Sequence, residues 1–217
     1  MLDSIERWVQ WAGAAGAAVG LVAVYAGLWR QTHGPRGRAT RRLPAVSRMF
    51  LQGSFLFYVA MSVVSVGLLY RLWRPIRPMP SASERVGALV LGSLLYFPGV
   101  ALLLWGRLAM GRMHAVSTSF GAQLYADHRL VTSGPFALVR HPMYLGGILA
   151  EVGALLLYRT WATLLIVLNA PVLVRRAGIE ERLLAEQFGE QWEEYRRRVP
   201  AWMPRLRWPS VVTGGDR

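Results

Sequence analysis

Two short stretches hold most of the groups that could do chemistry. The first is Gly134-Pro135-Phe136-Ala137-Leu138-Val139-Arg140-His141-Pro142-Met143-Tyr144-Leu145-Gly146-Gly147, which joins a polar segment to an apolar run. Proline suits the first turn of a helix, where its missing N–H costs nothing. Pro142 therefore puts His141 at a helix cap and Tyr144 and Gly146 in the first turns. Unbonded backbone N–H groups at such an end attract negative or electron-rich groups. Gly146 and Gly147 remove side chains where a flat ligand could approach the backbone. Arg140, His141 and Tyr144 add donors and an aromatic face. The second stretch is Arg175-Arg176-Ala177-Gly178-Ile179-Glu180-Glu181. If a helix runs through it, Arg176 and Glu180 share a face at i, i+4. The carboxylates suit a ligand carrying an ammonium or sulfonium; the arginines suit an anion. Neither stretch contains an evident acid–base dyad.

The elements that must position these groups are apolar. Of 217 residues, 53% are hydrophobic, and the 25 basic residues, all arginine, give a net charge of +13. A basic chain of this kind could bind nucleic acid, but here the arginines flank long uncharged runs, the pattern of a membrane protein. Nucleic acid is not an expected partner. With no cysteine, disulfides, thiolate zinc sites and a cysteine nucleophile are excluded. His33, His114, His128 and His141 match no metal-ligand spacing.

About 20 apolar residues cross a bilayer. Residues 8–29, 49–70 and 86–105 each read as a span, the third kinked at Pro98. The first follows Asp3 and Glu6 and is too long for a secretory signal, so it reads as a retained helix. Gly13, Gly16 and Gly20 on its surface suit close helix packing. Residues 106–140 are polar, contain no run long enough to span, and belong at the membrane face or in a protein-lined cavity. Residues 142–158 and 161–174, parted by Arg159-Thr160, read as a tight helical hairpin or as two spans whose ends extend into flanking polar residues. Glu151 inside the first arm either serves function, the default for an ionisable group in a membrane segment, or bonds to Asn169 across the hairpin. Beyond it, Leu184, Phe188, Trp192 and Tyr195 form one apolar stripe on an amphipathic segment, which Gly189 can divide in two. Pro200, Pro204 and Pro209 end regular structure.

The expected architecture is therefore an all-α integral membrane protein with about five transmembrane helices, the last two a hairpin, and a C-terminal amphipathic helix. Residues 1–105 form a three-helix region, 106–204 the catalytic region and 205–217 a flexible tail. Basic residues in 30–48, in 106–140 and in the C-terminal segment place those parts, and a cofactor pocket, on the cytoplasmic side of an inner membrane. The basic loop 71–85 runs against that orientation.

The two stretches resemble the isoprenylcysteine carboxyl methyltransferase family and related membrane phospholipid methyltransferases. The shared features are Gly134-Pro135-Phe136, Arg140-His141-Pro142-x-Tyr144-x-Gly146, Glu180-Glu181, Phe188-Gly189, and the tail from Tyr195 to Pro204. The resemblance covers residues 107–204. It implies that S-adenosylmethionine is the cofactor, with His141, Tyr144 and Gly146 lining its adenosine part and Arg140 supporting that loop. Glu180 and Glu181 would hold its ribose or amino-acid end. Arg175 or Arg176 would hold the carboxylate of a lipophilic, prenylated substrate entering from the lipid. Such a transfer is a direct displacement; a carboxylate is ionised at neutral pH and needs no base. Phe136-Ala137 and Ser117–Gln123 depart from the family pattern, which bears on the substrate. Amine methylation of a phospholipid, an NADPH-dependent reductase sharing the HPxY segment, and a non-catalytic membrane scaffold are the competing readings.

Overall fold

A computed structural model of the protein describes residues 1–33, 55–76, 81–111 and 129–204. The expected basic loop beyond residue 33, the start of the second span, His114, His128, Ser117–Gln123 and the tail 205–217 lie outside the described residues, as does the His33 side chain. The described regular structure is helical: α1 Leu2–His33, α2 Phe55–Arg71, α3 Ala82–Met110, a 3-10 turn Gly134–Ala137, α4 Pro142–Tyr158, α5 Trp161–Val167, α6 Ala170–Phe188 and α7 Glu190–Arg198. An isolated bridge between Pro75 and Thr160 is the extended pairing among the described residues. By length and composition, Ala82–Met110 and the run Trp161–Phe188 are long and apolar enough to cross a membrane. Leu56–Arg71 and Pro142–Tyr158 are shorter apolar helices.

Local signals account for several boundaries. Ser81 caps α3 through a reciprocal box with Glu84, satisfying donors that a helix start leaves open. The helix continues through Pro98. Arg159 ends α4 in a left-handed conformation, φ 52°, and Thr160 opens α5 through a capping box with Thr163. The expected second arm of the hairpin is not one helix. It breaks at Leu168-Asn169, and Pro171 lies in the first turn of α6. Proline there cannot donate to the preceding turn. Gly189 (φ 50°) divides α6 from α7, as the sequence suggested.

The centre of the bundle is the contact between α3 and antiparallel α4, and glycine creates it. A Cβ on Gly99 would stand 2.6 Å from the Ala150 nitrogen, one on Gly146 2.6 Å from the Gly99 oxygen, and one on Gly153 2.5 Å from the Tyr96 nitrogen. Gly92, Gly99 and Gly106 recur every seven residues on α3, and Gly146 and Gly153 do so on α4. Without side chains the two backbones touch, which gains dispersion contacts that lipid cannot supply. The glycines of α1 matter less. A Cβ at Gly13 would meet the Tyr158 hydroxyl at 2.7 Å, one at Gly16 makes ordinary contacts, and one at Gly20 meets nothing.

One end of the bundle is tied by charge. Glu6, buried at the start of α1, accepts hydrogen bonds from Arg85 on α3 and from Arg159 at the end of α4. Burial pushes the Glu6 carboxyl up, but the two guanidinium groups outweigh it and hold the carboxyl below its usual range. The segment after α2 joins the same end: Ile76 N–H donates to the Arg159 carbonyl (3.0 Å) and Trp161 N–H to the Arg74 carbonyl (3.1 Å). The functional residues gather at the opposite end.

Candidate active site

α4 and α6 run antiparallel and form a seam. From the mouth inward, the paired positions are His141 with Glu181, Tyr144 with Glu180 and Arg176, Gly147 with Leu173, and Glu151 with Asn169. The apolar part of the second arm ends at Val174, so the outer pairs lie in a polar environment and Glu151 lies deep.

At the mouth, Pro142 begins α4 and His141 is its cap residue, as the sequence required. The His141 side chain does not cap the helix. Its ring is 5% exposed, and its Nε2 donates to Glu181 Oε1 at 2.9 Å. Arg140 donates to the same oxygen from Nε (3.0 Å) and Nη2 (2.8 Å). One carboxylate oxygen thus accepts three hydrogen bonds. The His141 hydrogen bond, against burial and with help from the Arg140 guanidinium, pulls the Glu181 carboxyl down to about 2. It is ionised at neutral pH, so the hydrogen of the bond resides on His141 Nε2.

Glu180, one position earlier, is engaged differently. The Tyr144 hydroxyl donates to its Oε1. The guanidinium of Arg176 stands 5.8 Å from the Tyr144 ring centroid, over its face, an attractive placement for a cation. Arg175 on the neighbouring face is exposed. The expected i, i+4 relation is therefore real, and Tyr144 is the residue between its two members.

Gly146 does not face the mouth. The space its Cβ would take is filled by the Gly99 carbonyl and by Leu103 of α3. The expectation that its bare side admits a flat ligand is corrected: that side admits a helix. Gly147 faces the seam, where an added Cβ would sit 3.6 Å from Leu173 Cδ1.

The tail supplies groups that the sequence reading left out of the site. Arg140 N–H donates to the Pro200 carbonyl (2.8 Å) and His141 N–H to that of Ala201 (3.2 Å). Arg140 Nη1 donates to the Val199 carbonyl at 2.8 Å. Trp202 places its ring 5.3 Å from that of His141. Beneath, Trp192, Tyr195 and Val199 form a small core with Leu130, Leu184 and Phe188, so the predicted stripe packs on the protein. The Tyr195 hydroxyl donates to the Phe136 carbonyl at 2.7 Å, and burial pushes its pKa up to about 12. The signal for this arrangement was the spacing from Tyr195 to Pro204, read mainly as the end of regular structure.

An apolar helical bundle with a latched polar mouth defines the class, and the motif resemblance is borne out: residues 88–191 match the family model described as phospholipid methyltransferase. Among individual relatives, the chain is 35% identical over 36% of its length to protein-S-isoprenylcysteine O-methyltransferase of Schizosaccharomyces pombe. It is 29% identical over 69% of its length to methanethiol S-methyltransferase 2 of Bradyrhizobium diazoefficiens. It is 40% identical over 37% to a cobalt-zinc-cadmium resistance protein of Cupriavidus metallidurans. The matched segments cover 34%, 59% and 38% of those relatives' own lengths, in that order.

Proposed function

We propose that this protein is a multi-pass membrane methyltransferase that uses S-adenosylmethionine, with its mouth on the cytoplasmic side and its acceptor arriving from the lipid into the α4–α6 seam. The observation that carries this reading is the Tyr144–Glu180 pair beside the His141–Glu181 latch. It joins the two halves of the family motif in one place.

The residues fit such a cofactor. Glu180 is a carboxylate answered by a hydroxyl, which suits a ribose diol or the cationic end of a sulfonium amino acid. The adenosine part would lie against Tyr144 and His141. When bound, the cofactor supplies a methyl group on a positively charged sulfur. Glu181 is held by Arg140 and His141 within the protein, so its role is to fix the mouth, and Arg140 acts with it. Gly146 serves by letting α4 lie on α3 and so placing Tyr144. Catalysis then rests on alignment and on keeping water out of the seam.

Two acceptors suit the seam. A carboxylate, the acceptor implied by the isoprenylcysteine resemblance, would be met by Arg176 rather than by exposed Arg175. A thiol is the second reading. The match to methanethiol S-methyltransferase 2, which covers 69% of this chain, favours it. The test is transfer of labelled methyl from S-adenosylmethionine to a lipophilic carboxylate and to a lipophilic thiol by the purified protein in nanodiscs. Transfer to one of them supports the reading; binding of NADPH in place of the methyl donor would favour a reductase, and binding of neither a scaffold.

A further inference from the structure

Glu151 lies nine residues into α4, about 13 Å from the helix start at 1.5 Å rise per residue. That depth approaches the middle of an apolar layer about 30 Å thick. It stands seven residues beyond Tyr144, which returns it to nearly the same helix face. Asn169, at the break between α5 and α6, faces its carboxyl group. Glu151 Oε2 is nevertheless buried and accepts no hydrogen bond from the described residues. Asn169 is exposed on the bundle surface, so the deep end of the seam has a polar side towards the bilayer.

An acidic group in this position is costly to keep. Buried polar groups are paired as a rule, and ionisable groups in a membrane segment face the path of a substrate or proton. At the break beside it the Leu168 and Asn169 N–H groups donate to the Leu164 and Ile166 carbonyls, so the carboxyl oxygen is the group left without a partner there. A carboxylate acceptor would have no use for this residue: it arrives ionised, and Glu151 would repel it. An acceptor that arrives with a proton on its nucleophilic atom needs a group to take that proton. An ammonium fits poorly, because Arg176 and a sulfonium donor would both lie along the same seam. A thiol is neutral until it reacts: even a cysteine thiol, with a pKa near 8.5, is mostly protonated at neutral pH, and an alkanethiol is a weaker acid still.

We infer that Glu151 is the proton acceptor for a thiol that enters the α4–α6 seam from the lipid, with Asn169 holding the carboxyl group. This rests on the methyltransferase reading above and selects the thiol as acceptor. The S–H proton passes to Glu151 Oε2. The thiolate sulfur forms the new carbon–sulfur bond to the donor's methyl, the methyl–sulfonium bond breaks, and its electron pair stays on the departing thioether. The proton leaves Glu151 for bulk solvent after the methyl thioether has gone.

The test uses the full chain in nanodiscs with decanethiol, decylamine and decanoate as probes. Three proteins are compared: wild type, Glu151→Gln and Glu151→Asp. S-adenosylhomocysteine affinity is expected to stay within about threefold in all three. Methyl transfer to decanethiol is expected to exceed that to the amine or the carboxylate. It should fall roughly 100-fold or more in Glu151→Gln, the range for removing a positioned base, and recover in part in Glu151→Asp. The dependence of decanethiol kcat/KM on pH should show an acidic limb in the wild type that is absent in Glu151→Gln. Undiminished thiol transfer in Glu151→Gln would overturn the inference, as would preference for decanoate. Loss of cofactor affinity in both variants would make Glu151 structural and overturn it too. Failure of the wild type to bind S-adenosylhomocysteine would instead remove the methyltransferase reading itself.

Discussion

His141 Nε2 and Glu181 Oε1 meet at 2.9 Å across forty residues of chain, and Arg140 shares the same oxygen. Removing the carboxylate strands a guanidinium whose side chain is 12% exposed. Breaking a buried ion pair from one side costs about 3–5 kcal/mol, and partial exposure here lowers the expectation to roughly 2 kcal/mol for Glu181→Ala. Thermal unfolding in detergent checks it. A change in cofactor affinity with no change in unfolding would contradict a fixing role.

The same residue sets an acid dependence. Its carboxyl is lowered from 4.5 to about 2 in the folded protein. A group with a depressed folded pKa contributes stability that is present above the unfolded value and is lost as pH falls through the folded one. The contribution should be complete above about pH 5 and decline between about 4.5 and 2. Unfolding profiles of wild type and Glu181→Gln should converge across that window and differ by a constant amount above it.

The α3–α4 contact predicts a position-specific glycine effect. Gly99→Ala or Gly153→Ala forces backbones apart that now leave 2.6 Å or less for a Cβ, and overpacking of this kind costs about 1–3 kcal/mol or more. Gly20→Ala meets nothing within 4 Å and should be neutral or slightly stabilising. Equal effects at Gly99 and Gly20 would contradict the packing described.

The apolar runs, the hairpin turn at Arg159-Thr160 and the division at Gly189 were legible because each rests on a local signal: hydropathy, a polar interruption, a glycine that permits positive φ. The two motif halves were legible as a site through their combined resemblance to a methyltransferase family, since arginine and tyrosine are ordinary residues at a membrane boundary. What was not legible depended on contacts between distant segments. Gly146 carries the motif, but which side of α4 it bares is decided by Gly99 and Leu103 of α3. Glu181 resembles Glu180 in sequence and differs from it only through Arg140 and His141. The break at Asn169 followed from Pro171, whose place in an apolar run hid it. The seven-residue spacing of Gly92, Gly99 and Gly106 lies in the sequence, but its meaning depends on which helix packs there, and that is set by α4.

The charge cluster at the far end gives a control for the site. Glu6 is 7% exposed and bonds Arg85 and Arg159. Glu6→Ala should destabilise the protein by about 3–5 kcal/mol, the range for one-sided loss of a buried ion pair. Cofactor affinity, measured at a temperature where the variant is folded, should be unchanged. A coupled loss of affinity would mean that the two ends of the bundle act together.

The most direct test of the central claim is calorimetric titration of S-adenosylhomocysteine into the purified protein, with Glu180→Ala and His141→Ala beside it. Saturable binding in the micromolar range, about −8 kcal/mol, weakened at least tenfold in both variants, is the predicted result. No saturable binding to the wild type, or equal binding to all three proteins, would contradict a cofactor site at the mouth of the α4–α6 seam.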